Sequence, residues 1–217
     1  MSDYMVAERE QNLAELAYTQ IKRMILEKKL PSGMSVVEGR LADYLDISRT
    51  PVREALMRLA AEDLLVKQGS RSFAVRNVSA TEFFQAVHIR EILESEAIAL
   101  SFERLDRAVL AELRRDIVEL GKTPDQTAAQ WQLDDRLHRM FPRVSGNGVL
   151  LRTIDELRTL TRLCEVTYPL GRVPSSTTEH LAIVDALLAG DRDAARAAMV
   201  THLRNVAADC MDILRGG

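Results

Sequence analysis

The chain holds four histidines, and three of them stand where imidazoles could converge. Asp134 and His138 are four residues apart, so a helix presents both on one face. His180 lies ten residues before Gly190, and His202 eleven after Asp191. A helical hairpin turning at Ala189-Gly190-Asp191 sets them at nearly equal height, at about 1.5 Å of rise per residue. One carboxylate and three imidazoles suit a divalent transition ion, Zn²⁺ first, with Mn²⁺ or Ni²⁺ as alternatives. Asp135 points about 100° away from Asp134 and is the weaker ligand. Single helical histidines are commonly structural, and that reading stays open for each of the three.

A second constellation runs from Ser48 to Ala60. Thr50 is a suitable N-cap and Pro51 a suitable first helical residue, because its missing N–H has no partner there. Val52, Ala55, Leu56 and Leu59 recur at helical spacing and form an inward face. Arg49, Thr50 and Arg53 cluster at the helix start on the other side. Arginines beside free backbone N–H groups suit phosphates and guanine edges. Arg58, about one and a half turns further on, reaches the DNA backbone at best.

These residues need elements to position them. Leu13, Leu16, Ala17, Ile21, Met24 and Ile25 make the stripe of a first helix over about residues 9–28, ended by Pro31-Ser32-Gly33. A short helix from Glu38 to Leu45, a tight turn at Asp46-Ile47-Ser48 and the arginine-headed helix to about Asp63 make a helix-turn-helix. Two extended runs, Leu64–Gln68 and Ser72–Arg76, form a β-hairpin wing. Beyond Val78 the chain reads as about six helices in an antiparallel all-α bundle. Its breaks fall at Leu105-Asp106, Thr123-Pro124-Asp125, Ser145–Gly148, Tyr168–Pro174 and Ala189–Asp191. The expected fold is therefore mainly α. A winged helix-turn-helix DNA-binding domain covers residues 1–77, and a helical domain for effector binding and dimerisation covers 78–217.

The run Leu41–Ala60, with Ser48-Arg-Thr-Pro-Val-Arg-Glu-Ala-Leu56 at its centre, resembles the GntR family of bacterial repressors. The helical remainder looks like the FCD ligand domain of its FadR subgroup. The resemblance implies DNA contacts at Arg49, Thr50 and Arg53, a wing contact at Arg71 and a phosphate contact at Arg40. Gly39 departs from the family pattern, as do Ser70 and Ser72, which replace wing glycines. Asp46 stands in place of a turn glycine, where a left-handed backbone is tolerated by Asp better than by most residues. Asp134-Asp-Arg-Leu-His138, Glu179-His-Leu-Ala-Ile183 and His202-Leu203 match the segments of the metal-binding FCD subset. The resemblance further implies that Arg90 clamps an effector carboxylate beside the metal and offers Asn147 as a pocket residue, although a turn also explains that asparagine. His88 reads as a non-ligand.

Net charge is −3, so nucleic-acid binding rests on where the arginines sit. Residues 1–77 carry 12 Lys+Arg against 11 Asp+Glu. Cys164 and Cys210 fit no metal or redox spacing and read as free buried thiols of a reducing cytoplasm. Neither a signal peptide nor a membrane span is expected. The reading is a cytoplasmic homodimeric regulator, a repressor rather than an enzyme. It binds a pseudo-palindromic double-stranded operator and answers to a small organic acid at a metal-containing pocket. A metal-responsive regulator and a metal-dependent hydrolase are the alternatives.

Overall fold

The computed structural model describes residues 2–123, 126–167 and 171–216. The chain divides into two units, Met1–Ala80 with Thr159–Thr167, and Thr81–Arg158 with Tyr168–Gly217. The first thus ends close to the change of texture in the sequence, and it also takes in a stretch that the sequence reading assigned to the helical domain.

In the first unit α1 (Ser2–Leu26) packs on α3 (Arg49–Ala61), with α2 (Glu38–Leu45) alongside. Ala17, Ile21 and Ile25 meet the buried face Val52, Ala55, Leu56 and Leu59. Leu16, expected in the stripe, is exposed. Asp46 closes α2 in the left-handed region, φ 54°, as its short polar side chain permits. The recognition helix begins two residues earlier than expected. Its N-cap is Ser48, which makes no side-chain cap bond, so Arg49 becomes the first helical residue. Pro51 still falls in the first turn, where N–H groups lack intrahelical partners.

The wing carries a strand that sequence did not reveal. β2 (Leu65–Lys67) and β3 (Ser72–Val75) form the expected hairpin, and β1 (Ser35–Val37) adds to its far edge in the order β1-β3-β2, all antiparallel. Three residues are too few for periodicity to register. Val36 faces inward and its two neighbours face out. The Glu38 amide donates to the Arg71 carbonyl at 3.2 Å, which ties the wing to the start of α2.

The second unit contains α4 (Ala80–Ser101), a single 3₁₀ turn (Phe102–Arg104), α5 (Arg107–Leu120), α6 (Ala128–Val144), the first half of α7 (Gly148–Thr167), α8 (Val173–Ala189) and α9 (Arg192–Gly216). Asp106 caps α5, and Thr127 with Gln130 forms a capping box on α6, which satisfies amides that a helix start leaves open. Gly190, at φ 79°, ends α8 and turns the chain into α9. Of the expected breaks, Pro124-Asp125 and residues 168–170 lie outside the described residues.

Candidate metal centre and nucleic-acid face

The buried stripes of the second unit are interrupted by polar residues at helical spacing. On α4, Phe83, Ala86 and Val87 are followed by Arg90 and Glu94, then Ala97 and Ile98. On α7, Leu150 and Ile154 are followed by Arg158. His138 sits between Leu137 and Phe141 on α6, His180 between Val173 and Ile183 on α8, and His202 beside Met199 and Leu203 on α9. Burying such groups without partners is unfavourable, so each must be answered by another.

The answer is one cluster. Asp134, His138, His180 and His202 each offer a ligand atom, and these atoms all lie within 4.8 Å of one another. The ring centroids of His180 and His202 are 4.6 Å apart, and those of His138 and His202 5.2 Å. Asp134 Oδ1 lies 3.5 Å from His138 Nε2 and 3.7 Å from His180 Nε2. A tetrahedral ion with bonds of about 2.0–2.1 Å needs donors roughly 3.3 Å apart, so these spacings are nearly right. Both Nε2 atoms are buried without a hydrogen-bond partner, the condition of donors that await an ion. The residues therefore fit a divalent transition ion. Asp135 stands off the cluster, and its Oδ1 accepts from Arg158 Nη2 at 2.5 Å. Pro142 lies within α6 and has no N–H to give the carbonyl of His138, four residues back.

The charges around the cluster are matched. Burial works to raise the Glu94 carboxyl, but Arg90 and His138 together outweigh it, and its pKa falls well below the ordinary carboxylate value. Burial opposes the charge on Arg158, yet Asp134 and Asp135 hold it firmly protonated. His180 is pushed well below its usual pKa by burial and then by His202. Burial also lowers His202, against the pull of Glu179. Neutral imidazoles are the form that binds metal.

Glu94, Glu179 and Arg158 were not singled out from sequence as members of this site. Glu94 and Arg158 were detectable in principle, as charges lying on otherwise apolar stripes. Arg90 is buried and its Nε donates to Glu94 Oε1 at 2.7 Å, four residues along its own helix. Asn147 is exposed and caps α7, its Oδ1 accepting from the Leu150 amide at 3.1 Å. His88 is exposed and outside the cluster.

In the first unit Arg40, Arg49, Thr50, Arg53 and Arg71 are all exposed. Among the described residues none of the four arginines is ion-paired. The Arg49 guanidinium lies against Gly39, where an added Cβ would sit 3.6 Å from its Nη2. Arg58 is engaged within the protein. It bonds Glu15 at 2.5 Å and lies 3.7 Å from the centre of the Tyr18 ring, so it holds α1 to α3. Cys164 and Cys210 are buried thiols outside any disulfide, and no described helix is long and apolar enough to cross a membrane.

Known proteins share the two-part organisation of this chain. The gntR family of bacterial regulatory proteins matches residues 13–75, and the FCD domain matches residues 85–205. An HTH-type transcriptional regulator in an unstable DNA locus of Streptomyces ambofaciens is 33% identical over 87% of this chain and 81% of its own. A protein of Paenarthrobacter nicotinovorans named "Probable D-xylose utilization operon transcriptional repressor" is 31% identical over 82% of this chain and 80% of its own. The solved structure of Escherichia coli McbR/YncC shares the fold, with a TM-score of 0.78 at 23% identity over 92% of this chain and 97% of that one. The Streptomyces and Paenarthrobacter relatives are named as transcriptional regulators, not enzymes. The chain belongs to the GntR family of DNA-binding transcriptional regulators, with a winged helix-turn-helix in front of an FCD domain.

Proposed function

We propose that this regulator is a repressor whose operator affinity is controlled by a small organic acid bound at a divalent metal ion in the helical domain. The observation that carries the reading is the set Asp134, His138, His180 and His202, its three imidazoles buried and two of their nitrogens left unsatisfied. These four residues would hold the ion, which when bound supplies a Lewis-acidic position for a carboxylate. Arg90 would recognise the same carboxylate through its guanidinium fork. Arg49, Thr50 and Arg53 would read the major groove, with Arg71 in the wing and Arg40 on phosphate. Two chains would pair on a pseudo-palindromic operator; Ile89, Ile92 and Leu100, exposed on one side of α4, are available for such an interface. The ligand acts by favouring one dimer geometry over another. A DNA-binding role places the protein in the cytoplasm.

One observation favours a second reading, in which the ion itself is the signal: Arg90 is already bonded to Glu94. Fluorescence anisotropy on operator DNA separates the two. Binding is titrated with chelator, then with Zn²⁺, then with Zn²⁺ and a panel of small carboxylates. Release that needs a carboxylate supports the acid sensor. Release or capture by Zn²⁺ alone supports the metal sensor. No zinc uptake, or uptake undiminished by His180→Ala, would remove both.

A further inference from the structure

Three of the four candidate donors are braced from behind, Asp134 by a guanidinium and two histidines each by a carboxylate–guanidinium pair. Asp134 Oδ2 accepts from Arg158 Nη2 at 2.8 Å, which leaves Oδ1 toward the imidazoles. His138 turns Nδ1 to Glu94, whose other oxygen is held by Arg90. His202 turns Nδ1 to Glu179 Oε2 at 2.8 Å. Glu179 in turn accepts from Arg172 Nη2 at 2.5 Å and Asn205 Nδ2 at 2.7 Å, and Arg172 also bonds Asp209.

From this we infer that Glu179, braced by Arg172 and Asn205, is the positioning residue that sets the tautomer and aim of His202 for a divalent ion, as Glu94 does for His138. The inference rests on the metal reading proposed above. A carboxylate only accepts hydrogen bonds, and a neutral imidazole has a single N–H. The proton therefore resides on Nδ1 and the lone pair on Nε2. Carboxylates behind metal-binding histidines also raise their basicity and fix ring orientation. Glu179 and His180 are adjacent on α8 and diverge by about 100°. One faces the ion site directly, and the other reaches across to α9 and orients a ligand there. Arg172, at the head of α8, joins Glu179 to Asp209 on α9 and fixes the carboxylate in turn.

The test uses the full chain at pH 7.5, with two readouts. Zinc affinity is measured by competition with a chromophoric chelator. Histidine tautomers of the metal-free protein are read from ¹⁵N NMR shifts. Glu179→Met is expected to weaken zinc binding about 10–100-fold and to release His202 from the Nδ1–H tautomer. Glu179→Gln keeps an acceptor, so it restores the tautomer and part of the affinity; if the Met variant fails to fold, Gln and Arg172→Met carry the test with smaller losses. Arg114→Ala, which breaks the exposed pair with Asp185 between α5 and α8, leaves both readouts unchanged. Parental affinity and tautomer in every Glu179 and Arg172 variant overturn the inference and leave the ion site standing. A parent chain that takes up no zinc overturns the ion site itself.

Discussion

Glu94 is fully buried and Arg90 nearly so, at 0% and 4% exposure. Glu94 answers two donors at once, Arg90 Nε and His138 Nδ1. Glu94→Leu removes both acceptors at nearly constant volume and leaves a guanidinium buried without this counter-charge. Breaking a buried pair this way costs about 3–5 kcal/mol, a large part of the roughly 5–15 kcal/mol that holds a domain folded. Arg90→Met is expected to cost a similar amount, since it leaves the carboxylate alone beside His138. The double variant loses both charges together. Its remaining penalty is the orphaned His138 N–H, about 1–3 kcal/mol. The double variant is therefore more stable than either single one. The assay is urea unfolding in chelator at pH 7.5, followed by fluorescence of Trp131, the chain's one tryptophan, which stands on the same helix as His138. With a slope of about 2–3 kcal/mol per molar urea, each single variant unfolds about 1–2 M earlier than the parent. Additive losses, or a Glu94→Leu midpoint within about 0.2 M of the parent, would refute the account of this pair.

Three further outcomes follow from other parts of the molecule. The metal-free protein loses stability as pH falls below 6.5, because His180 and His202 have folded-state pKa values lowered from that value. Stability tied to their neutrality is complete above pH 6.5 and drains toward the lowered values, with a slope of at most about 2.7 kcal/mol per pH unit for two protons; thermal unfolding between pH 5 and 8 that shows no such slope contradicts it. Gly121→Ala places a Cβ 2.4 Å from Thr177 Cγ2, and Thr177 is anchored to the Val173 carbonyl at 2.7 Å. Overpacking of about 1–3 kcal/mol three residues before His180 should lower both Tm and zinc affinity, whereas unchanged affinity would separate this helix contact from the site. Arg53→Ala is expected to weaken operator binding about 10–100-fold, as loss of a base contact does, and Arg58→Ala to reduce stability more than the salt slope of DNA binding. Equal salt slopes for the two variants would place Arg58 on the DNA instead.

Much of this protein is legible before folding, because helices carry their pattern in a window of a dozen residues. The recognition helix, the wing hairpin and the Gly190 turn all follow from local spacing and turn chemistry. So does the pairing of Asp134 with His138, since four residues along a helix is a fixed distance. Limits appear where the pattern is short or the partner distant. β1 is three residues long and exists only because β3 offers an edge. Thr159–Thr167 joins the first unit, although nothing in its sequence separates it from the helix it continues.

The sequence by itself determined which donors exist and which helix faces carry them, because those depend on neighbours along one chain. Only the tertiary structure decided which groups stand behind them. Glu94 meets His138 across 44 residues and Glu179 meets His202 across 23. Such pairings follow from how α4, α6, α8 and α9 pack, which no single helix encodes. The physical reason is burial: a charge on an apolar stripe is tolerable only when another element supplies its partner, and the identity of that partner is a property of the assembled core.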